Sequence, residues 1–267
     1  MISVGEYYVT PGGGPFWNMA FDEWLFDRVR RREDLSRAFL RLYSWASPAV
    51  TIGYNQDLSR VVDLTLLDDE IPVIRRVTGG RAIHHDPTEL TFSLILDIAI
   101  LSESRQSLSK TNGQISRAVT DFLRRMGINA TRADRSDLSY LGGLSGHLKS
   151  CFGSVSKYEV LAGQNKIAGG AQRRLGSCLI HQGSIKLSGV SDCPAIGQSG
   201  SLSTADPPPR SFESRQTGEI SAMFAGVFSR RFSIDFQPKR ISDRETPQIQ
   251  FYEDILRENS LSKRRFY

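Results

Sequence analysis

Apolar positions recur at helical spacing most plainly between Ser107 and Met126. There Leu108, Ile115, Val119, Phe122 and Met126 share one face, and Gly127 ends the run. A second helix is expected from Asn18 to about Arg31. Asn18 serves as its N-cap, Asp22 and Glu23 lie in or near its first turn, and Arg28, Arg30 and Arg31 lie near its end. Its apolar face is Met19, Phe21, Trp24, Leu25 and Val29. A short helix over Val61–Asp68, another over Gly218–Arg230 and a last one over Phe251–Arg257 complete the helical pattern.

Between the helices the pattern changes to short apolar or alternating runs. Ile2–Thr10, Ala38–Tyr43, Ala49–Ile52, Ile71–Val77 and Glu89–Ile95 read as strands. Tyr158–Ala162, Asn165–Gly169 and Cys178–Leu187 read as one antiparallel meander, with Gly163-Gln164 as a hairpin turn. Pro11 to Pro15 breaks the chain, Asp134–Ser150 is loop-like, and a Ser/Gly/Pro-rich stretch at about 188–211 reads as an ordered loop or flap. The short turns favour pairing without crossovers. The pattern therefore predicts an α/β fold: a large mixed, mostly antiparallel sheet with flanking helices and a smaller sheet alongside. Residues 1–267 are taken as a single catalytic domain.

Composition changes this picture little. The 267 residues carry 34 basic and 29 acidic side chains, a net charge of +5 with no basic block beyond Lys263-Arg264-Arg265, so nucleic-acid binding is not expected. No apolar run is long enough to span a membrane, and no secretory leader is evident at the N-terminus. Three unpaired-looking cysteines, Cys151, Cys178 and Cys193, argue against a disulfide framework and against a zinc site, and fit a reducing cytoplasm.

Three constellations could carry chemistry. In Arg75-Arg76-Val77-Thr78-Gly79-Gly80-Arg81, adjacent glycines allow close backbone approach and the arginines add anion affinity, yet a tight turn with solvated arginines explains the same residues. In His84-His85-Asp86, neighbours on a strand face opposite ways, so pocket-wall or core roles fit better than a metal. Cys151 with Lys166 could be a thiolate beside its cation, although a free cysteine is more often a small buried apolar residue. Cys178, inside an apolar run, is assigned to the core. Trp45 and Tyr54 could line a pocket or be ordinary core aromatics.

Taken together the segments resemble the lipoate–protein ligase and lipoyl/octanoyl transferase superfamily, which has the class II biotin/lipoate ligase-like fold. The resemblance runs through Asn18–Glu23, Leu40–Trp45, Gly53–Gln56, Arg75–Asp86 with Glu89–Ser93, Lys166–Arg174 and Gly183–Ile185. Ser150-Cys151-Phe152 ahead of Tyr158-Glu159-Val160 looks like the acyl-accepting segment of the cysteine-dependent octanoyltransferases of Gram-positive type, and the length after residue 190 suits a chain without the extra domain of many ligases. The resemblance implies transfer of an octanoyl group from octanoyl-acyl carrier protein, through a Cys151 thioester, to a lysine of a lipoyl domain (glycine cleavage H protein or a dehydrogenase E2 subunit). It implies Cys151 and Lys166 as catalytic groups. Arg75, Arg76, Thr78, Gly79, Gly80, Arg81, His85 and Gly169 would bind substrate. No metal or other cofactor is expected, nor a membrane, and a monomer is the default.

Rival readings are an amidotransferase between lipoyl domains, an ATP- and magnesium-dependent lipoate–protein ligase, and a non-catalytic binding protein on the same fold. One departure stands out. Relatives often have histidine directly before the glycine matched by Gly183, whereas here Gln182 takes that place and His181 is one residue earlier. A one-residue shift on a strand moves a side chain to the other face, so His181 is assigned no catalytic role.

Overall fold

The computed structural model describes residues 3–32, 37–133, 158–163, 165–187, 191–198 and 214–260. Among these, eight strands form one sheet in the order β11-β1-β2-β6-β10-β9-β8-β7. They are β1 (Ser3–Gly13), β2 (Ala38–Trp45), β6 (Leu90–Asp97), β7 (Ala130–Arg132), β8 (Val160–Ala162), β9 (Asn165–Leu175), β10 (Cys178–Ile185) and β11 (Ile234–Pro238). The sheet is antiparallel from β2 to β7, and β1 pairs in parallel with both β2 and β11. A three-stranded sheet, β4-β3-β5, lies beside it and consists of β3 (Ala49–Ile52), β4 (Val73–Arg75) and β5 (Ile83–His85). The mixed α/β architecture and the β8–β10 meander match the sequence pattern.

Strand alternation sorts side chains into two cores. Leu40, Leu42, Phe92, Leu94 and Leu179 face α3 (Leu108–Arg125) and α4 (Ser214–Phe232). Phe39, Ile95, Cys178 and Ile180 face α1 (Pro15–Arg31), with Ile249 of α5 (Thr246–Glu258) in the same cluster. In the first core Phe92, Phe122, Phe224 and Phe228 are fully buried, and Phe92 has its ring centre 5.3 Å from Phe224 and 5.5 Å from Phe228. Burying each such ring contributes roughly 1.5–3 kcal/mol. The small sheet has its own cluster, in which Val50, Ile52 and Val73 meet Cys193, Ala195 and Ile196 from a 3-10 turn.

Several boundaries differ from expectation for local reasons. Helix α1 starts at Pro15, not Asn18, because proline at the first helical position loses no hydrogen bond. Asn18 is therefore inside the helix and fully buried, its amide donating to the carbonyls of Gly13 and Ser44. The helix expected over 61–68 is instead a single turn, α2 (Leu58–Val61), opened by Asp57, whose carboxylate accepts from the Ser59 N–H. Strands β5, β7 and β11 were not among the expected strands. They are three, three and five residues long, too short to show a pattern, and their pairing partners are distant in sequence.

Candidate active site

The cleft lies where the two sheets meet. Its floor comes from β9 and β10, and one wall from Met19 and Tyr43. The other wall is Thr51, Arg76, Ile83 and His85 of the small sheet and the loop after it. Met19, Tyr43, Trp45, Ala49 and Ile74 form a small apolar cluster that holds the two sheets together at this point.

The glycine loop is set by its backbone. Gly80 has φ +86°, a conformation that favours glycine, and a Cβ there would meet Arg76 and Ala171. A Cβ on Gly53 would collide with the backbone carbonyl of Gly80, so the two loops touch only because Gly53 lacks a side chain. Arg76 ties the loop from within. Its guanidinium donates to the Thr51 carbonyl at 3.1 Å, to the Thr78 hydroxyl at 3.2 Å, and to the carbonyls of Gly79 and Arg81. Arg75 donates to the carbonyls of Gly53, Tyr54 and Gln56 and so anchors the neighbouring loop. Arg81 is exposed, and its side chain is not part of the cleft lining. Of the residues expected to bind substrate, Arg76, His85 and Gly169 line the cleft, Thr78 braces it, and Gly79 and Gly80 shape the adjoining backbone.

Two buried ionic networks brace the walls. Asp22 accepts from Arg41 at 3.0 Å, Ser93 at 2.8 Å, Tyr43 at 3.0 Å and Gln182 at 2.8 Å. Gln182 in turn accepts from Thr78 at 2.7 Å, so one amide joins α1, β10 and the glycine loop. In the second network, Lys186 donates to Glu89, to Asp86 at 3.2 Å and to the His84 carbonyl at 2.9 Å. His85 Nδ1 lies 2.6 Å from Glu89 and its Nε2 lies 2.8 Å from Thr51. Burial lowers the His85 pKa, which favours the neutral ring. An ionised Glu89 can only accept, so Nδ1 carries the proton and Nε2 accepts from the Thr51 hydroxyl. Lys186 beside it and the hydrogen bonds it accepts outweigh burial and hold the Glu89 carboxyl far below the usual carboxylate range. His84, on the opposite strand face, bonds Ser191 instead.

Lys166 lies on β9, buried, with Nζ 2.6 Å from Glu159. Its amine lies over Gly169, since a Cβ on that glycine would be 3.0 Å from Nζ. The hairpin explains the pair: Lys166 stands opposite Leu161, two residues after Glu159. Cys151 lies outside the described residues. Cys178 is a core thiol, its pKa pushed up to about 12 by burial. Trp45 is buried and stacked on His85 at 4.0 Å, whereas Tyr54 is exposed beneath Arg173 at 3.6 Å.

The register shift has the expected consequence. Gln182 faces the cleft. His181 faces α3, stacked on Phe92 with its ring against Gly170, and its pKa is pushed down to about 3 by burial. The sequence did not single out Asp22, Glu89, Lys186, Ser184, Gln182 or Glu159 as site residues. For Glu159 a signal existed, because a hairpin at Gly163 folds it back onto Lys166.

A family model for the lipoyl protein ligase A/B catalytic domain matches residues 14–215. Octanoyltransferase LipM of Exiguobacterium sp. is 31% identical over 268 residues, covering 90% of this chain and 91% of that protein. Octanoyltransferase LipM of Moorella thermoacetica is 33% identical over 181 residues, covering 65% of this chain and 61%, less than two thirds, of that protein. Among solved structures, protein Ta0514 of T. acidophilum with bound lipoic acid superposes with a TM-score of 0.69 at 22% identity, covering 94% of this chain and 95% of that one. Lipoate-protein ligase A bound with ATP gives a TM-score of 0.66 at 22% identity, covering 94% of each. These two show a shared fold. Because the matched residues include the glycine loop, the lysine hairpin and the cleft floor between them, the chain belongs to the lipoyl protein ligase A/B catalytic-domain family.

Proposed function

We propose that the chain is an octanoyltransferase that moves an octanoyl group from octanoyl-acyl carrier protein to a lysine of a lipoyl domain. The observation that carries this reading is the cleft. It has a largely apolar lining, its ionic groups are neutralised within the wall, and a buried lysine stands over Gly169 at its floor. Such a cleft suits an apolar chain with a polar head. The LipM relatives favour transfer over ATP-driven ligation. In the first step the Cys151 thiolate attacks the donor thioester carbonyl, the new C–S bond forms, and the carrier's thiolate leaves and takes up a proton. In the second step the acceptor amine attacks the Cys151 thioester, an amide forms, and the thiol of Cys151 is regenerated with the amine's proton. Lys166 would bond the carbonyl oxygen as charge develops there.

Intact-mass measurement after incubation with octanoyl-acyl carrier protein, without ATP, tests the reading. One hydroxylamine-labile octanoyl adduct is expected on the wild type and none on Cys151→Ala. Lys166→Ala should slow transfer about 10²–10³-fold. Modification of a lipoyl domain only when ATP is supplied, with no adduct, would replace this reading by the ligase. An octanoylated lipoyl domain acting as the sole donor would replace it by the amidotransferase.

A further inference from the structure

Almost every polar side chain lining the cleft is already bonded to another part of the protein. Tyr43 donates to Asp22, and Gln182 spans Asp22 and Thr78. Thr51, Arg76 and His85 are joined to one another, and Thr91 accepts from Trp45 while donating to Glu89. Ser184 is the exception: it lines the cleft, is 5% exposed, and its hydroxyl has no hydrogen-bond partner among the described residues. A buried hydroxyl without a partner is costly, and its cost is offset when a ligand supplies the missing bond.

Its position identifies the ligand atom. Ser184 sits on β10 directly opposite Gly169 of β9, on the same sheet face, and opposite Thr91 of β6 on its other side. Side chains so paired stand about 4.5–5.5 Å apart at Cβ. Because Gly169 has no side chain, Lys166 lies directly over it, with the Glu159 carboxylate next, and Ser184 stands beside that position on the adjoining strand. We propose that Ser184 is a catalytic hydrogen-bond donor to the carbonyl oxygen of the bound acyl group, acting across Gly169 from Lys166. The identity of the acyl group rests on the octanoyltransferase reading. Ser184 is not assigned as a nucleophile, since among the described residues no base lies within bonding distance of its oxygen and His181 faces the other side of the sheet. It keeps its proton throughout, and its bond strengthens as negative charge grows on the carbonyl oxygen in each transfer step.

Octanamide, an unreactive carbonyl with the same chain, and octanoyl-acyl carrier protein together test the proposal on wild type, Ser184→Ala and Ser184→Thr. Without ligand the alanine variant should melt no lower than the wild type. It should bind octanamide about tenfold more weakly by thermal shift or calorimetry. Its octanoyl transfer should fall about 10²-fold, mostly in kcat, and the threonine variant should recover most of that loss. Equal octanamide affinity in wild type and alanine variant overturns the proposal, as does a failure of the wild type to bind octanamide. An alanine variant that melts lower without ligand also overturns it, because the hydroxyl would then already serve the fold. A wild type that binds octanamide but makes no octanoyl adduct without ATP would sink the octanoyltransferase reading and leave Ser184 to be decided by the octanamide arm.

Discussion

The two faces of β10 differ in how they handle burial. On the cleft face Gln182 is bonded at both ends of its amide, and Lys186, just past the strand, meets two carboxylates. On the α3 face His181 lies among aromatic and aliphatic groups, and Ser116 of α3 lines the same hollow; among the described residues neither His181 Nδ1 nor the Ser116 hydroxyl has a partner. The cleft end of one face, past Cys178 and Ile180, is therefore a polar scaffold with Ser184 its one hydroxyl without a partner among the described residues, and the other face is an apolar core that tolerates stray polar atoms. Polar bracing fixes the position of groups around a ligand, whereas apolar packing supplies stability without fixing individual atoms.

The largest expected effect comes from breaking the bracing. Lys186→Met should destabilise the protein by roughly 3–5 kcal/mol, because it leaves buried Glu89 without its cation; denaturant melts measure this. A loss under about 1 kcal/mol would mean the two faces are alike in their dependence on polar contacts.

His181 gives the next effect, through pH. Its pKa is about 3 in the folded chain, against about 6.5 when unfolded. Between these values the unfolded chain binds a proton that the folded chain does not, so stability falls as pH drops below about 6.5. The loss should be on the order of 3 kcal/mol by pH 4. His181→Leu should flatten that limb of the stability curve. Asp86 and Glu89, whose pKa values are depressed, lose their contribution only at lower pH, so the two windows separate. An unchanged slope in the leucine variant would show that His181 takes up its proton without unfolding the α3 face.

The smallest effect tests the register shift. Gln182→His should cost about 1 kcal/mol, because a ring aimed at Asp22 must reach Thr78 with a different geometry. Thermal melts at neutral pH measure it.

The strand meander, the long amphipathic helix and the opposed faces of Gln182 and His181 were legible because each depends on residue spacing alone. Arg76, His85 and Gly169 were legible as a motif. The braces were not, because Asp22 meets Arg41, Ser93 and Gln182 only after four separate segments have packed. Asn18 misled for a similar reason. Its side chain looks like a cap, yet it is used for tertiary bonds inside the helix. Ser184 lay in a segment that carried the resemblance but was given no role, since a hydroxyl without a partner is recognised only when its neighbours' bonds are known.

The parallel pairing of β1 with β11 joins residues 3–7 to 234–238. During synthesis, therefore, β1 can pair with β2 early but keeps its other side open until nearly the whole described chain has been made. That open side is a template for other strands. Contacts this distant in sequence also form late and slowly. The completed sheet covers an edge that the nascent chain leaves open, so the β1–β11 ladder is where the order of synthesis and the border of the fold meet.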